Sequence, residues 1–232
     1  MSSGSRLFDQ VFGAQQYADD FGWSPSWNAE IDKWLNEYRK CDPQHFNRQL
    51  NRLKRDKQRD ELLAEAKAVF YYSKKLNFKI TEIEPKGKGS KMLDFAFDDK
   101  KGNHWVGEVK SPNWRGEIWK DDSISDDVKR QRMLQPQHIS GEARSFSFDD
   151  ALEDPIIKSI PKFEIGKNNL LVIVPNMFIS IFAGPFIESR VKDLLKQHDA
   201  HGVISAVAIL GISLPVGSTG FDYSFGLITR DY

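Results

Sequence analysis

The chain has 232 residues, of which 40% are hydrophobic and 28% charged, with 33 basic and 33 acidic side chains. This length fits one large domain or a core domain with an extension. The zero net charge argues against a nucleic-acid binder that relies on overall positive charge, although local charged patches matter more than the total. The single cysteine, Cys41, excludes an internal disulfide and a cysteine-based zinc site, which fits a reducing compartment.

The N-terminal segment is predicted to be helical. Ser24 and Pro25 have the residue types of an N-cap and a first helical position, and apolar residues follow at helical spacing up to residue 38. A second helix after Pro43 carries a strongly basic run over 48–59 with Asp56 as its one acid. Two interpretations stay open for this run, a phosphate-tracking surface or a solvated helix face. The arginines that would contact nucleic acid are Arg48, Arg52, Arg55 and Arg59.

Strand periodicity replaces helical periodicity after a third helix over about 60–76. Alternating segments over 78–85, 91–97 and 104–110 predict a three-strand meander. Beyond Pro112 the chain is polar, with helices predicted near 126–139 and over 154–163, where Pro161 must bend or end the helix. Further predicted elements are a strand at 169–175, a helix at 184–200, a strand at 202–211 and an edge strand at 223–232.

Two segments without charged residues, 168–187 and 202–221, require a test for membrane spans. A spanning helix needs roughly 20 mostly apolar residues, but proline, glycine and asparagine break both segments into short runs. We therefore expect buried strands and no membrane span. Because the first ten residues lack the apolar core of a signal peptide, we also expect a cytoplasmic protein. The order of elements predicts an α/β domain with a mixed sheet over 56–232, preceded by an all-helical extension over 1–55.

Three ionisable residues of the meander are predicted to lie on one surface. Side chains alternate across a strand, so Glu108 and Lys110 point the same way, roughly 7 Å apart, and Asp94 can lie beside Glu108 if the second and third strands pair. Two carboxylates alone would repel each other, whereas Mg²⁺ takes one or two protein carboxylates together with waters or phosphate oxygens. Carboxylates, a divalent cation and a lysine together suit phosphodiester hydrolysis.

This arrangement resembles the PD-(D/E)xK nuclease superfamily, which includes restriction endonucleases and Holliday-junction resolvases. The resemblance covers roughly residues 58–210 and implies a restriction-endonuclease-like fold of helix, three-strand meander, helix and strand. Asp94 matches the first acid of the motif, and Glu108 and Lys110 match its second acid and lysine, while Leu93 stands where the motif has proline. The resemblance also implies that the carbonyl of Val109 is a metal ligand.

The same resemblance implies a carboxylate on the helix before the meander, for which Glu65 is the first candidate and Glu61 the second. Lys158 and Lys162, on the helix before the fourth strand, would flank the site and contact phosphate, although surface lysines are the ordinary interpretation. Trp114 and Arg115 combine an aromatic and a basic group as in strand-gripping loops, and a packed, protein-facing loop is the alternative.

The predicted function is therefore a metal-dependent nuclease that hydrolyses phosphodiester bonds in DNA with Mg²⁺ or Mn²⁺. A solvated hairpin face and a degenerate site are the competing interpretations of the three residues. The alternative function is an inactive nucleic-acid- or protein-binding module of the same fold, acting in a larger defence or repair complex. DNA is the expected partner, and a homodimer or a subunit of a larger complex is the expected assembly.

Overall fold

The structure is a computed structural model that describes residue 7 and residues 25–53, 56–111, 148–174, 184–211 and 225–229. Five helices lie within these ranges, namely α1 (Pro25–Cys41), α2 (Pro43–Leu53), α3 (Asp56–Phe70), α4 (Phe148–Ser159) and α5 (Gly184–His198). α3 continues into a π-helical turn (Tyr71–Lys75), and α4 continues into a 3-10 turn (Ile160–Lys162). The proline predicted to bend or end the helix before the fourth strand lies in this 3-10 turn.

The described strands form one mixed sheet, in which spatial order equals chain order. They are β1 (Lys79–Ile83), β2 (Phe95–Asp98), β3 (His104–Lys110), β4 (Asn168–Ile173), β5 (Ala206–Leu210) and β6 (Phe225–Thr229). β1, β2 and β3 pair antiparallel, β3, β4 and β5 pair parallel, and β6 returns antiparallel to β5. The predicted α/β class with a mixed, helix-flanked sheet is confirmed.

Both faces of the sheet are covered, which explains why the fourth strand shows no alternation of polar and apolar residues. Leu170 and Val172 of β4 belong to a buried cluster shared with α1, α2 and α3. Leu171 and Ile173, the alternate residues of β4, belong to a second cluster shared with α4 and α5. The parallel pairs β3–β4 and β4–β5 each need a crossover connection, and α4 and α5 lie in those connections.

The N-terminal helices pack into the same core as the sheet. Ile31 and Leu35 of α1 and Phe46 of α2 are almost completely buried, and they share one cluster with α3 and with β2. The division of the chain at residue 55 stays a prediction, but the helices on either side of it bury apolar surface against each other.

The second strand starts later than the alternation pattern predicts. β2 begins at Phe95 rather than at residue 91, and Leu93 packs with α4 and α5, on the opposite side of the sheet from Phe95. Alternation over 91–97 predicts that Leu93 and Phe95 share one face of the strand, and this prediction was wrong. The cause is the chain before Asp94, where the Leu93 N–H donates to the carbonyl of Pro85 (3.0 Å) instead of continuing the strand ladder.

No described helix has the length and apolar character needed to cross a membrane. The predicted segment 168–187 contributes β4 and the start of α5, and 202–221 contributes β5. The helix predicted near 126–139 lies outside the described residues.

Candidate active site

A polar cleft of about 330 Å³ lies where α3, the β1–β2 connection, the end of β3 and the 3-10 turn meet. Carboxylates and lysines dominate its lining. Among the described residues its acidic members are Glu61, Glu65, Glu84, Asp94 and Glu108, and its basic members are Lys110 and Lys162. The four residues that the sequence predicts as catalytic are therefore brought together at one cleft.

The register between β2 and β3 brings Asp94 next to the strand that carries Glu108. Phe95 lies opposite Gly107, and the Asp94 N–H donates to the Gly107 carbonyl (3.0 Å). A Cβ at Gly107 would lie 2.6 Å from the Phe95 ring, so glycine permits this close approach. The Val109 N–H donates to Asp94 Oδ2 (2.5 Å). Backbone bonds on both sides therefore fix the Asp94 carboxylate against β3.

Glu108 is completely buried, and its two carboxylate oxygens have different surroundings. The ammonium groups of Lys110 and Lys162 both donate to Oε1, the latter at 2.6 Å. Oε2 is buried and has no hydrogen-bond partner among the described residues. A buried acceptor without a partner costs about 1–3 kcal/mol, so this oxygen is suited to a ligand that the protein itself does not provide.

The electrostatics of the cleft favour an additional positive charge beside Asp94. Although the residue as a whole is half-buried, its carboxyl group is desolvated, and this burial together with the Glu65 and Glu108 carboxylates raises the pKa of Asp94 well above its ordinary value. The Val109 N–H and Lys110 oppose this rise only in part. A cation placed between the carboxylates would stabilise the ionised form of Asp94.

Lys110 is held in its charged form. Burial alone would lower the pKa of its ammonium, but the carboxylates of Glu108 and Asp94 outweigh burial and raise that pKa. A lysine that keeps its proton can donate hydrogen bonds to an anionic group, whereas it is a poor proton acceptor. The geometry therefore favours charge stabilisation over proton abstraction for Lys110.

The residues present fit a small divalent cation. Mg²⁺ is commonly bound by one or two carboxylates, with waters or substrate phosphates completing its octahedron. Glu108 Oε2 and the carboxylate of Asp94 offer such a pair. Within the described ranges, no group of three or more His, Cys, Asp or Glu side chains is close enough to hold a metal ion by itself.

Both helix carboxylates predicted from the sequence line the cleft. Glu65 is half-buried and accepts a hydrogen bond from the Tyr38 hydroxyl (3.2 Å), and its charge raises the pKa of Asp94. Glu61 is exposed, and its charge helps to raise the pKa of Lys110. Both residues are thus in electrostatic contact with the site, Glu65 on the Asp94 side and Glu61 on the Lys110 side.

Sequence reasoning missed two parts of this arrangement. Lys162 was expected to contact phosphate, but it also donates directly to Glu108, 54 positions earlier in the chain. Glu84 was not predicted at all, and it adopts a left-handed conformation with φ of 54°, directly before Pro85. No local sequence pattern predicts the Lys162–Glu108 contact or the position of Glu84 in the cleft, because both depend on how the β1–β2 connection packs on the 3-10 turn.

Among the predicted nucleic-acid contacts, Arg48 is the residue whose side chain lies in the described part of the structure. Arg48 is exposed on α2 and is not among the residues that line the cleft. The side chains of Arg52 and Arg59 lie outside the described part of the structure, as do Arg55, Trp114 and Arg115 as whole residues. Their role in nucleic-acid binding stays a prediction.

Comparison with known proteins does not assign this chain to a family. No family model matches the chain, and no curated protein matches it. A similar solved structure is that of SfsA from Pyrococcus furiosus in complex with Ca²⁺, with 16% sequence identity and a TM-score of 0.31. The alignment covers 75% of this chain and 64% of that one, so the chain spans less than two thirds of its length. The site is therefore interpreted from its own residues.

Proposed function

We propose that this chain is a metal-dependent nuclease that hydrolyses phosphodiester bonds, with DNA as the expected substrate. The observation that carries the proposal is Glu108. Its carboxylate is completely buried, two ammonium groups bind one oxygen, and the other oxygen has no partner among the described residues. Keeping such a group buried costs stability, and a site that uses the charge accounts for that cost.

Asp94, Glu108 and the carbonyl of Val109 are the groups that would hold Mg²⁺ or Mn²⁺. A bound cation of this kind would lower the pKa of water and neutralise charge on a phosphate. The N–H of Val109 holds Asp94 in place for this task. Val109 lies on β3 next to Glu108, so this bond holds the Asp94 carboxylate against the strand that carries Glu108, which favours precise binding geometry.

The two lysines would bind the substrate phosphate. Lys110 and Lys162 both donate to Glu108 Oε1, and each side chain is about one quarter exposed, at 27% and 29%. An anion entering the cleft can therefore reach both ammonium groups. Positive groups that are aimed at developing negative charge are often the largest contribution to catalysis. Glu65, which lines the cleft and whose charge acts on Asp94, would orient the attacking water.

Lys162 is fixed by its backbone as well as by Glu108. The Lys88 N–H donates to the Lys162 carbonyl (2.8 Å), and a Cβ at Gly87 would lie 2.4 Å from the same oxygen. The β1–β2 connection therefore packs directly on the 3-10 turn, with glycine required at the closest approach. This packing supports a specific role for Lys162, because it holds the backbone of this residue beside the cleft.

Cleavage of plasmid and single-stranded DNA, with RNA in parallel, tests the proposal. Wild-type protein should cut in Mg²⁺ or Mn²⁺ and stop cutting in excess chelator. Glu108→Gln should reduce cleavage by at least about a hundredfold, since a metal and its charge supply several kcal/mol to the transition state. Lys162→Ala should reduce it by about tenfold or more.

Lys158→Ala is the matched control for Lys162→Ala. Lys158 lies one helical turn earlier, is 64% exposed and pairs with Asp154 on the surface. It is not among the residues that line the cleft, so, contrary to the contact with phosphate expected from the sequence, its loss should leave cleavage unchanged. Equal cleavage by Glu108→Gln and wild type would contradict the proposal and indicate a contaminating nuclease. No cleavage by wild type, combined with salt-sensitive DNA binding, would favour the inactive binding module. Assembly as a homodimer or within a larger complex is a separate proposal, which sedimentation would test.

A further inference from the structure

A chain of polar contacts connects the first two helices to the rim of the cleft. The Tyr38 hydroxyl of α1 donates to Glu65 Oε2 (3.2 Å) and lies 3.1 Å from His45 Nε2 of α2. The other ring nitrogen of His45, Nδ1, lies 3.2 Å from Glu84 Oε2. Two side chains of the N-terminal helices thus contact two carboxylates that line the cleft.

The two inner members of this chain are enclosed by protein. Tyr38 and His45 are each 1% exposed, and their rings meet edge to face with centroids 5.9 Å apart. The backbone N–H of His45 donates to Asp42 Oδ1 (2.8 Å), so the Asp42 side chain caps the start of α2. Burial, together with the negative charge of Glu65 and Asp94, raises the pKa of the Tyr38 phenol, so the hydroxyl keeps the proton that it donates.

The outer members are tied to the metal-binding side of the site. The Glu84 N–H donates to the Asp94 carbonyl (3.1 Å), and Glu84 holds a positive φ that is strained for a residue with a side chain. Such strain persists only where surrounding contacts fix the conformation, and the contact of Glu84 with His45 is one such contact. The charge of Glu65 acts directly on Asp94.

We infer that Tyr38 and His45 are positioning residues, which hold Glu65 and Glu84 at the cleft and make α1 and α2 part of the site. The catalytic consequence of this inference rests on the proposed nuclease function. The coupling between Tyr38 and Glu65 does not depend on that function. The inference goes beyond the four predicted catalytic residues because it assigns a role to helices that the sequence presents as an extension. A shift of the Glu65 carboxylate by about an ångström would displace the water that Glu65 is proposed to orient.

The test begins with Tyr38→Phe, which removes the hydroxyl and keeps the ring. We expect kcat for DNA cleavage to fall about tenfold, because modest misplacement of a positioned group costs one to two orders of magnitude, while KM stays within about twofold. Because Tyr38 acts through Glu65, the double variant Tyr38→Phe with Glu65→Ala should be no slower than Glu65→Ala alone. Effects on kcat that multiply in the double variant would overturn the inference.

A second readout is independent of activity. In a double-mutant cycle of urea denaturation, Tyr38→Phe and Glu65→Ala should be coupled by about fivefold or more in the folding equilibrium constant. This coupling decides whether the contact exists even if wild-type protein cuts no nucleic acid, so failure of the proposed function and failure of the inference give different results. A coupling below about twofold would overturn the inference.

Tyr72→Phe is the matched control. Tyr72 is also buried, at 2% exposure, but its hydroxyl has no hydrogen-bond partner among the described residues. Its removal should leave kcat within about twofold of wild type and show no coupling to Glu65→Ala, as expected for sites that share no partner. If Tyr72→Phe reproduced the effects of Tyr38→Phe, those effects would come from the loss of any buried hydroxyl, and the inference would be wrong.

Discussion

Lys67 provides a quantitative test of the packing of α3, the helix that carries Glu65. Its side chain is buried, its ammonium donates to the Leu210 carbonyl (3.0 Å), and it lies 5.8 Å from the centre of the Trp34 ring. Burial in these surroundings lowers the pKa of Lys67 from 10.5 to about 7. Lys67→Met keeps a similar length of apolar side chain and removes the titrating group.

The sign and size of the effect follow from linkage. Between pH 10.5 and 7 the unfolded chain binds a proton at Lys67 that the folded chain does not, so the free energy of unfolding falls as the pH falls through this window. At pH 7 this loss amounts to about 4 kcal/mol. Replacement by methionine removes the loss but sacrifices a hydrogen bond of about 1 kcal/mol. Lys67→Met should therefore be more stable than wild type by about 3 kcal/mol at pH 7 and by about zero at pH 10.

Urea denaturation at the two pH values measures both numbers, and other titrating groups cancel in the difference between variant and wild type. Lys40→Met is the control, because Lys40 is 72% exposed and lies 3.8 Å from Glu37, so its stability should stay within about 0.5 kcal/mol of wild type. If Lys67→Met were less stable than wild type at pH 7, or if its advantage did not shrink between pH 7 and pH 10, the reasoning would be refuted.

Two further predictions concern the frame of the site. Gly107→Ala should destabilise the protein by about 1–3 kcal/mol in urea denaturation, because the new Cβ would meet the Phe95 ring at 2.6 Å. Gly226→Ala is the control, since its new Cβ has open space around it, and it should cost less than about 1 kcal/mol. Equal costs for the two variants would contradict the close packing of Gly107 on Phe95. Asp199→Ala should cost about 2–4 kcal/mol, because this buried carboxylate accepts hydrogen bonds from two backbone N–H groups just before β5. A cost no larger than that of Asp193→Ala, at an exposed position, would contradict this prediction.

The sheet was predictable because its signals are local. Alternation over 104–110 predicts that Glu108 and Lys110 share a face, and in the structure the Lys110 ammonium donates to Glu108. The short apolar runs of the C-terminal half predict strands covered on both faces, and β4 and β5 contribute to both buried clusters. In each case the evidence lies within a few residues of the position concerned.

The surroundings of the site were not predictable, because they depend on distant contacts. The start of β2 is displaced by the β1–β2 connection, whose path is set where Gly87 packs on the carbonyl of Lys162, 75 positions away in sequence numbering. The contact between Tyr38 and Glu65 spans 27 positions and two helices. A single sequence contains the residue types for these contacts but no periodic pattern that pairs them.

The central claim is that Asp94 and Glu108 hold a divalent cation, and calorimetric titration of Mn²⁺ into the protein tests it most directly. Wild-type protein should bind the ion, and Glu108→Gln should weaken binding by at least about tenfold, equivalent to about 1.4 kcal/mol. Asp98 is a half-buried residue of β2 whose carboxylate contacts His104, and the control variant Asp98→Asn should bind Mn²⁺ as wild type does. Failure of wild-type protein to bind Mn²⁺ at millimolar concentration, or equal affinity in Glu108→Gln, would contradict the claim.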